Sequence, residues 1–261
     1  MNVRRVRADS ADPREYIDGA NRAFGRWGDE SMFAWAFRGE AELLYVDDER
    51  GRALAGSGIN WRTLRTNQLA AIITASWTLP EARGQGLFTR LIDATCEIAR
   101  DRDAVVLGFV RGDNVSARGL ITAGAEMIPT FYCRTEQGSD HAERLESVDV
   151  VPSAFPSSFT YGEDEWRKQF LDRPAAEIEC IGRRGEWAAV VERAAEFDRV
   201  HAVSDPAALP ILASRAHGAG RSLFWFTTTR PAIDCEWTDG FLGVIPSSPL
   251  SRWELQNGDR M

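Results

Sequence analysis

The hydrophobic pattern of the first 135 residues alternates between β-type and helix-type stretches. The clearest example spans residues 68–100: an apolar, β-prone segment is ended by Pro80, a glycine-rich turn follows, and the next residues have helical spacing. The residues that mark the helical face are Leu87, Leu91, Ala94 and Ile98. This order predicts a strand, a tight turn and a helix that begins just after the turn.

The elements around this segment predict a mixed α+β fold, in which helices flank a largely antiparallel central sheet. Strands at 42–47, 52–65 and 68–79 follow one another through short turns, which indicates an antiparallel meander. The strand at 104–110 is expected to lie parallel to 68–79, because a helix connects them through a right-handed crossover. A short strand at 2–8, helices at 12–24 and 31–37, a short helix after Asn114 and a strand at 126–134 complete this half.

The second half repeats the order of three strands, a helix and a strand. Its strands are predicted at 177–181, 186–193, 199–203 and 223–227, and Asp205 begins the helix. At the strand–helix junction the second copy reads SDPAALP, which has neither glycine nor arginine. A degenerate second copy of the first domain and an unrelated α+β cap both fit this pattern. The first interpretation gives a domain at 1–136, a linker with one strand at 137–160 and a degenerate domain at 161–261.

The glycine turn is the main candidate for ligand chemistry. Gly84 and Gly86 lie where the helix begins, and there the first N–H groups lack partners and the helix dipole is positive. Glycine allows an anion to approach this backbone closely, and Arg83 and Arg90 add positive charge. The pattern predicts a site for a phosphate or pyrophosphate.

Three alternatives compete for this turn. The P-loop pattern is absent. The dinucleotide pattern GxGxxG has Thr89 in place of its third glycine, although Asp103 lies about 20 residues further on as that pattern requires. A helix that simply needs a tight start is the remaining alternative.

The segment PEARGQGLFTRL resembles the acyl-CoA-binding motif R/Q-x-x-G-x-G/A of the GNAT superfamily of N-acyltransferases. Arg83, Gly86 and Phe88 fill its marked positions, and Phe88 departs from the usual small residue. The resemblance covers residues 1 to 135 in element order and implies tandem GNAT-like domains if the second half is a copy. It implies an acyl-CoA co-substrate, expected to be acetyl-CoA, held by Trp77, Thr78, Leu79, Arg83, Gly84, Gln85, Gly86, Leu87, Phe88 and Asn114.

The resemblance also implies the reaction, in which an amine attacks the thioester directly. A backbone N–H near Thr78 or Leu79 would polarise the thioester carbonyl. The tyrosine that usually acts as general acid is missing, because Leu120 and Ile121 occupy its neighbourhood. We therefore take other polar groups as candidates for proton transfer, namely Glu30 as a base and Tyr132 as a donor to the departing thiolate.

Composition limits the partners. The 261 residues carry a net charge of −8, which argues against nucleic acid and against an anionic membrane. Four cysteines without CxxC spacing, together with the isolated His141, His201 and His217, predict no metal site. The start of the chain has no apolar core segment typical of a signal peptide, and no apolar run approaches the length of a membrane helix. These features predict a cytoplasmic protein.

The leading functional hypothesis is an acyl-CoA-dependent N-acyltransferase that acts on a small-molecule amine. The alternative from another class is a non-catalytic acyl-CoA-binding or scaffold protein, for which the missing tyrosine is the main support. Aminoacyl-tRNA-dependent transfer on tandem domains is disfavoured by the acidic charge balance.

Overall fold

The computed structural model describes residues 2–138, 145–231, 233–246 and 249–260. The chain forms two compact units, one made of residues 1–128 and 241–251 and the other of residues 129–240 and 252–261. The predicted division at residue 136 stays a prediction. His141 and residues 139–144 of the predicted linker lie outside the described residues.

The first unit contains the predicted meander and crossover. Its helices are α1 (Pro13–Phe24), α2 (Glu30–Ala36), α3 (Leu87–Asp101) and α4 (Val115–Thr122). Its strands are β1 (Val3–Arg7), β2 (Glu42–Asp47), β3 (Ala53–Leu64), β4 (Leu69–Thr78) and β5 (Val105–Arg111), with the start of β6 (Glu126–Thr135) and the end of β13 (Glu236–Ile245). The strand order is β1-β2-β3-β4-β5-β13. Strands β1 to β4 are antiparallel and β5 is parallel to β4, which confirms the predicted fold class.

Aromatic side chains join α1 to the sheet. The Tyr16 ring lies edge-on to Trp27, Phe33, Phe37 and Trp77, with ring centroids 4.8 to 6.0 Å apart. The Trp77 indole lies directly over Gly19 of α1 and Gly56 of β3, where a Cβ atom would overlap it. These aromatics therefore form the core of the first unit and fix the end of β4 against α1.

A β-bulge interrupts β4 just before its end. Gly56 pairs with Trp77 and Gly58 pairs with Thr74, so two residues of β4, Ala75 and Ser76, lie opposite the single Ser57. Ala75 has a positive φ of 48°, and the Tyr16 hydroxyl donates a hydrogen bond to its carbonyl at 2.7 Å. The bulge is thus held by a buried tyrosine.

Strands β4 and β5 separate after a short parallel ladder. The ladder runs from Ala70–Val105 to Ile73–Gly108, whereas β4 continues to Thr78 and β5 to Arg111. The gap between the two strand ends is open to a ligand on this side of the sheet.

The second unit has the same strand senses as the first. Its elements are β7 (Glu146–Ser147), β8 (Phe159–Thr160), α5 (Glu163–Phe170), β9 (Glu177–Arg183), β10 (Trp187–Arg193), β11 (Phe197–Val203), α6 (Leu209–Gly218) and β12 (Ser222–Thr227), with the remainder of β6 and β13. Strands β9, β10 and β11 are antiparallel neighbours, and β12 is parallel to β11.

Four features of this part of the chain differ from what the sequence pattern indicates. Helix α5 and strand β13 were not predicted, because neither segment has a strong period of its own. The linker predicted at 137–160 with one strand contains, in its described residues, two strands of two residues each, β7 and β8. In a helix that begins at Asp205, as predicted, Pro210 would lie late enough to bend it. In the structure Pro210 lies in the first turn of α6, where its missing N–H costs no helical hydrogen bond.

Candidate active site

A groove of about 770 Å³ lies in the first unit, at the separated end of β4 and the start of α3. The end of α1 and the first two turns of α4 also contribute to its wall. Eight of the ten predicted cofactor residues line it: Trp77, Thr78, Arg83, Gly84, Gly86, Leu87, Phe88 and Asn114. Leu79 and Gln85 are not among the lining residues, since Leu79 is buried in the core and Gln85 points to solvent.

The glycine turn leaves several backbone donors at the end of the groove. Gly84 and Gly86 have positive φ values of 78° and 71°, conformations that favour glycine. Gly86 is the N-cap of α3, and it supplies no side chain to cap the N–H groups of Leu87, Phe88 and Thr89. Gly84, Gly86, Leu87, Phe88 and Thr89 all line the groove, whereas Gln85, which lies between the two glycines, does not. The start of α3 can therefore bind a ligand group that accepts hydrogen bonds.

The charge of the groove favours an anion. Its described lining residues include Arg83 and Arg118 and no aspartate or glutamate. The first turn of α3 likewise contains no acidic residue. Arg83 also donates to the Ala23 carbonyl at 3.1 Å, which ties the turn to the end of α1. A CoA pyrophosphate fits this set of donors, because both the helix dipole and the two arginines favour negative charge.

Phe88 departs from the usual small residue of the motif, and α4 accommodates it. A Cβ atom placed on Gly119 would lie 2.9 Å from the Phe88 ring and 3.3 Å from Ile92. The absence of a side chain at Gly119 therefore makes room for the larger ring. Phe88 of α3 and Gly119 of α4 therefore fit each other sterically.

Helix α4 begins at Asn114 as predicted. The Asn114 Oδ1 accepts the Ser116 N–H at 2.9 Å, so it caps the helix, and Asn114 also lines the groove. Leu120 packs against Gly108 and is buried, whereas Ile121 is exposed and lies outside the groove lining. Leu120 and Ile121 occupy the neighbourhood of the missing tyrosine, and neither side chain can donate a proton as a general acid.

The two backbone N–H groups proposed to polarise a carbonyl differ in direction. The Leu79 N–H donates to the Leu54 carbonyl at 2.9 Å. Adjacent residues of an antiparallel strand point their N–H groups in opposite directions, so the Thr78 N–H is directed away from β3, towards the gap beside β5. Of the two, only Thr78 can reach a ligand in the groove.

The sequence analysis missed Ser76, Thr89, Arg118 and the exposed Phe24 among the groove residues. Ser76 lies in the bulge, and its Oγ is 2.7 Å from the Oγ of the fully buried Ser57. Arg118 and Thr89 lie one helical turn inside α4 and α3. Arg118 follows Asn114, and Thr89 follows Gly86, by one helical turn, and this spacing could have identified both as groove residues.

The two proposed proton-transfer residues do not line the groove. Glu30 is the first residue of α2, its side chain is 67% exposed, and its Oε1 lies 3.6 Å from the Arg14 Nε. Tyr132 belongs to the second unit, where its ring packs edge-on against Phe226 and under the Arg260 guanidinium.

Buried tyrosine hydroxyls near the bulge are donors rather than bases. Burial raises the pKa of Tyr16 well above its ordinary value. Tyr16 is therefore neutral at physiological pH and acts by donating to the Ala75 carbonyl.

Among the described residues no group of three or more His, Cys, Asp or Glu side chains is placed to bind a metal ion. None of the helices in those residues has both the length and the apolar character needed to cross a bilayer.

Residues 11–124 match the family model of the acetyltransferase (GNAT) family. The matched segment runs from the start of α1 to Gly124 and contains every described residue that lines the groove. This segment is a GNAT acetyltransferase domain. The match supports an acetyltransferase, and the groove lies within the matched segment.

Solved structures share the fold of the GNAT domain and extend beyond it. A GCN5-related N-acetyltransferase from Anabaena variabilis is 14% identical with a TM-score of 0.63 and covers 92% of this chain and 72% of its own. One from Sphaerobacter thermophilus is 16% identical with a TM-score of 0.55 and covers 96% and 98%. One from Kribbella flavida is 13% identical with a TM-score of 0.58 and covers 93% and 71%. These likenesses show the fold. A search of curated protein sequences found no match.

Proposed function

We propose that the protein is an acyl-CoA-dependent N-acyltransferase that transfers an acetyl group to a small-molecule amine. The observation that carries the proposal is the open groove, which joins a gap between two strands to a glycine turn free of acidic residues. A CoA thioester has matching parts, namely an anionic pyrophosphate and an extended amide-containing arm.

The groove residues contact the acyl donor, acetyl-CoA, at two places. The N–H groups at the start of α3, with Arg83 and Arg118, bind the pyrophosphate. The exposed edge of β4 at Thr78 pairs with the amides of the arm, in the way an added strand pairs with a sheet edge. The bound thioester supplies the activated acyl group.

The chain then needs to align the amine and to stabilise the oxyanion. Effective molarity from alignment of the reactants contributes several kcal/mol, up to about 7–11 in favourable cases. The Thr78 N–H, directed into the gap, hydrogen-bonds the carbonyl oxygen as negative charge develops there.

The amine must lose a proton, because an alkylammonium has a pKa near 10 and only about one molecule in a thousand is neutral at pH 7. Glu30 and Tyr132 stay candidates for a base and an acid. Glu30→Gln and Tyr132→Phe keep the shape of each side chain and remove its proton chemistry. If both variants keep full turnover between about pH 6 and 9, neither residue takes part, and water or groove hydroxyls carry the proton.

The acidic charge of the chain supports a cationic amine rather than an anionic acceptor such as nucleic acid. Residues 161–261 are proposed as a degenerate copy of the GNAT domain, joined to it by a linker at 137–160. Their equal order of strands and equal pairing senses support this proposal.

The deciding experiment follows free thiol after the protein is mixed with acetyl-CoA and a panel of small amines. Thiol release that depends on both an amine and the protein is expected, with the acetylated amine detected by mass. A rise in melting temperature with acetyl-CoA, but no thiol release with any amine, would instead support the non-catalytic acyl-CoA-binding alternative.

A further inference from the structure

Two serine hydroxyls meet at the bulge of β4. The Ser76 Oγ lines the groove, and the Ser57 Oγ of β3 lies 2.7 Å behind it. Ser57 is completely buried, whereas Ser76 is partly exposed to the groove. The bulge creates this pair, because the extra residue of β4 brings Ser76 opposite Ser57.

The direction of the hydrogen bond between the two serines sets which hydroxyl has a proton available to a ligand. Each hydroxyl carries one proton, and the buried Ser57 has two possible acceptors. The Ser76 Oγ is at 2.7 Å, the usual distance for this bond, and the Gly58 carbonyl is at 3.4 Å, close to the limit. The pair can bond in either direction; when Ser57 donates to Ser76 over the shorter of its two distances, the proton of Ser76 is left to point into the groove.

The place of Ser76 along the groove matches the reacting end of the donor. The pyrophosphate end is the turn at Gly84 and Gly86, and Thr78 lies between that turn and Ser76. Ser76 and Thr78 are two residues apart on one strand, about 6.6 Å along it. In CoA the thioester lies at the opposite end of the arm from the pyrophosphate. Ser76 is the groove residue of β4 furthest along the chain from the turn.

We infer that the Ser76 hydroxyl is a catalytic residue that protonates the departing sulfur, oriented by Ser57 as a positioning residue. The inference rests on the proposed N-acyltransferase function. When the tetrahedral intermediate collapses, the carbon–sulfur bond breaks and its electron pair goes to sulfur. The Ser76 proton moves to that sulfur, and the Ser76 oxygen receives a proton from the newly bonded, positively charged nitrogen. The products are a neutral amide, a thiol and an unchanged serine, so no other reactant is needed.

The test separates turnover from binding in the full-length protein. Ser76→Ala is expected to lower kcat by about 100-fold, the lower range for one acid–base group, and to leave the KM for acetyl-CoA unchanged. Ser57→Ala is expected to lower kcat about tenfold with the same KM, because Ser76 stays but loses its orientation. Ser76→Thr, which keeps a hydroxyl and suits a strand, is expected to recover most of kcat.

The control is Ser222→Ala, which removes another buried strand serine, on β12, and should leave kcat unchanged. Each variant is first shown to retain the acetyl-CoA-induced rise in melting temperature. Full kcat in Ser76→Ala, or no recovery in a folded Ser76→Thr, would overturn this inference while the wild-type turnover still supports the proposed function. A wild-type protein that releases no thiol with any amine would overturn both.

Discussion

The two units each contain a pair of parallel strands that separate at one end, and they use the gap differently. In the first unit the β4–β5 ladder ends at Ile73–Gly108, and in the second the β11–β12 ladder ends at Arg199–Phe224. In both, the strand before the helix continues beyond its last partner and directs backbone groups into the gap. In the first unit the groove runs along the β4 side of this gap.

In the second unit the C-terminal segment, residues 253–260, occupies the gap beside β11. The Ser204 N–H bonds to β10, so the backbone groups of Val203 face the other way. The Gln256 side chain satisfies both, accepting the Val203 N–H at 3.1 Å and donating to its carbonyl at 3.3 Å. Val203 thus corresponds to Thr78, but its polar groups are already bonded within the protein.

The helices that follow the two gaps also differ at their starts. Gly86 begins α3 with no side-chain cap, whereas the Asp205 carboxylate accepts the Ala207 N–H at 2.9 Å before α6. A carboxylate at this point neutralises the helix dipole and repels a phosphate. In the first unit both the gap and the helix start are free of the protein's own capping groups, whereas in the second unit both are occupied by them.

The largest expected effect comes from placing an acid at the open helix start. Gly86→Asp forces a residue with a Cβ into a positive-φ conformation and sets a negative charge against the pyrophosphate. Hydrogen bonds to a charged group contribute about 1.5–3 kcal/mol each, so the loss of two would weaken acetyl-CoA binding by at least about 100-fold. The melting-temperature rise with acetyl-CoA should disappear.

Gly185→Asp is the matched control, since Gly185 also has a positive φ, 79°, with open space around its Cα, in the turn between β9 and β10. It should lower the melting temperature through the same backbone strain and keep the acetyl-CoA response. An unchanged response in Gly86→Asp would place the donor elsewhere.

Local sequence pattern predicts many of the features compared here, but it does not predict those that depend on contacts between residues distant in sequence. The glycine turn, the amphipathic α3 and the meander are readable because period and glycine placement are local properties. The bulge conformation at Ala75 is not, since a non-glycine residue at positive φ is held there by Tyr16, 59 residues away. The Ser57–Ser76 pair follows from that bulge, and a lone serine in a strand gives no such signal.

The C-terminal segment was missed for a related reason. Its role depends on Gln256 meeting Val203, 53 residues away, and no periodicity in 253–260 predicts that contact. Glu30 and Tyr132 were chosen because the central strand lacks an acid, and sequence alone could not show which polar groups face the groove.

The next effect tests the filled gap directly. Gln256→Ala leaves the buried N–H and carbonyl of Val203 without partners, and each such group costs about 1–3 kcal/mol. We expect a clear fall in melting temperature and no change in the KM for acetyl-CoA. Gln68→Ala, a partly buried glutamine outside this segment, should change neither quantity. An altered KM would show that the C-terminal segment acts on the donor site.

A smaller effect is expected from the acidic cap of the second unit. Asp205→Ala removes the hydrogen bond to the Ala207 N–H and should cost about 1 kcal/mol of stability. Because the gap remains filled, calorimetric titration should still give one acetyl-CoA per chain, as for the wild type. A stoichiometry of two in either protein would refute the degenerate-copy proposal.

The smallest effect at neutral pH concerns the histidine beside the filled gap. The fully buried His201 contacts Asn257 through Nδ1 at 3.3 Å and Glu192 through Nε2 at 2.8 Å. Burial lowers the pKa of His201 below its ordinary value, although Glu192 acts in the opposite direction. Burial alone would raise the pKa of Glu192, but His201, Arg199 and Arg173 hold it at about 2.

The sign of the pH effect follows from these two shifts. Below about pH 6.5 the unfolded chain takes up a proton on His201 that the folded protein does not, so stability falls as the pH decreases. Glu192 stays ionised in both states down to about pH 5, and its own contribution is lost only below that. The melting temperature should therefore fall between pH 7 and 5. His201→Gln should flatten that slope, whereas His217→Gln, at an exposed position on α6, should keep it. An equal slope in both variants would mean that the buried histidine does not control the stability of the filled gap.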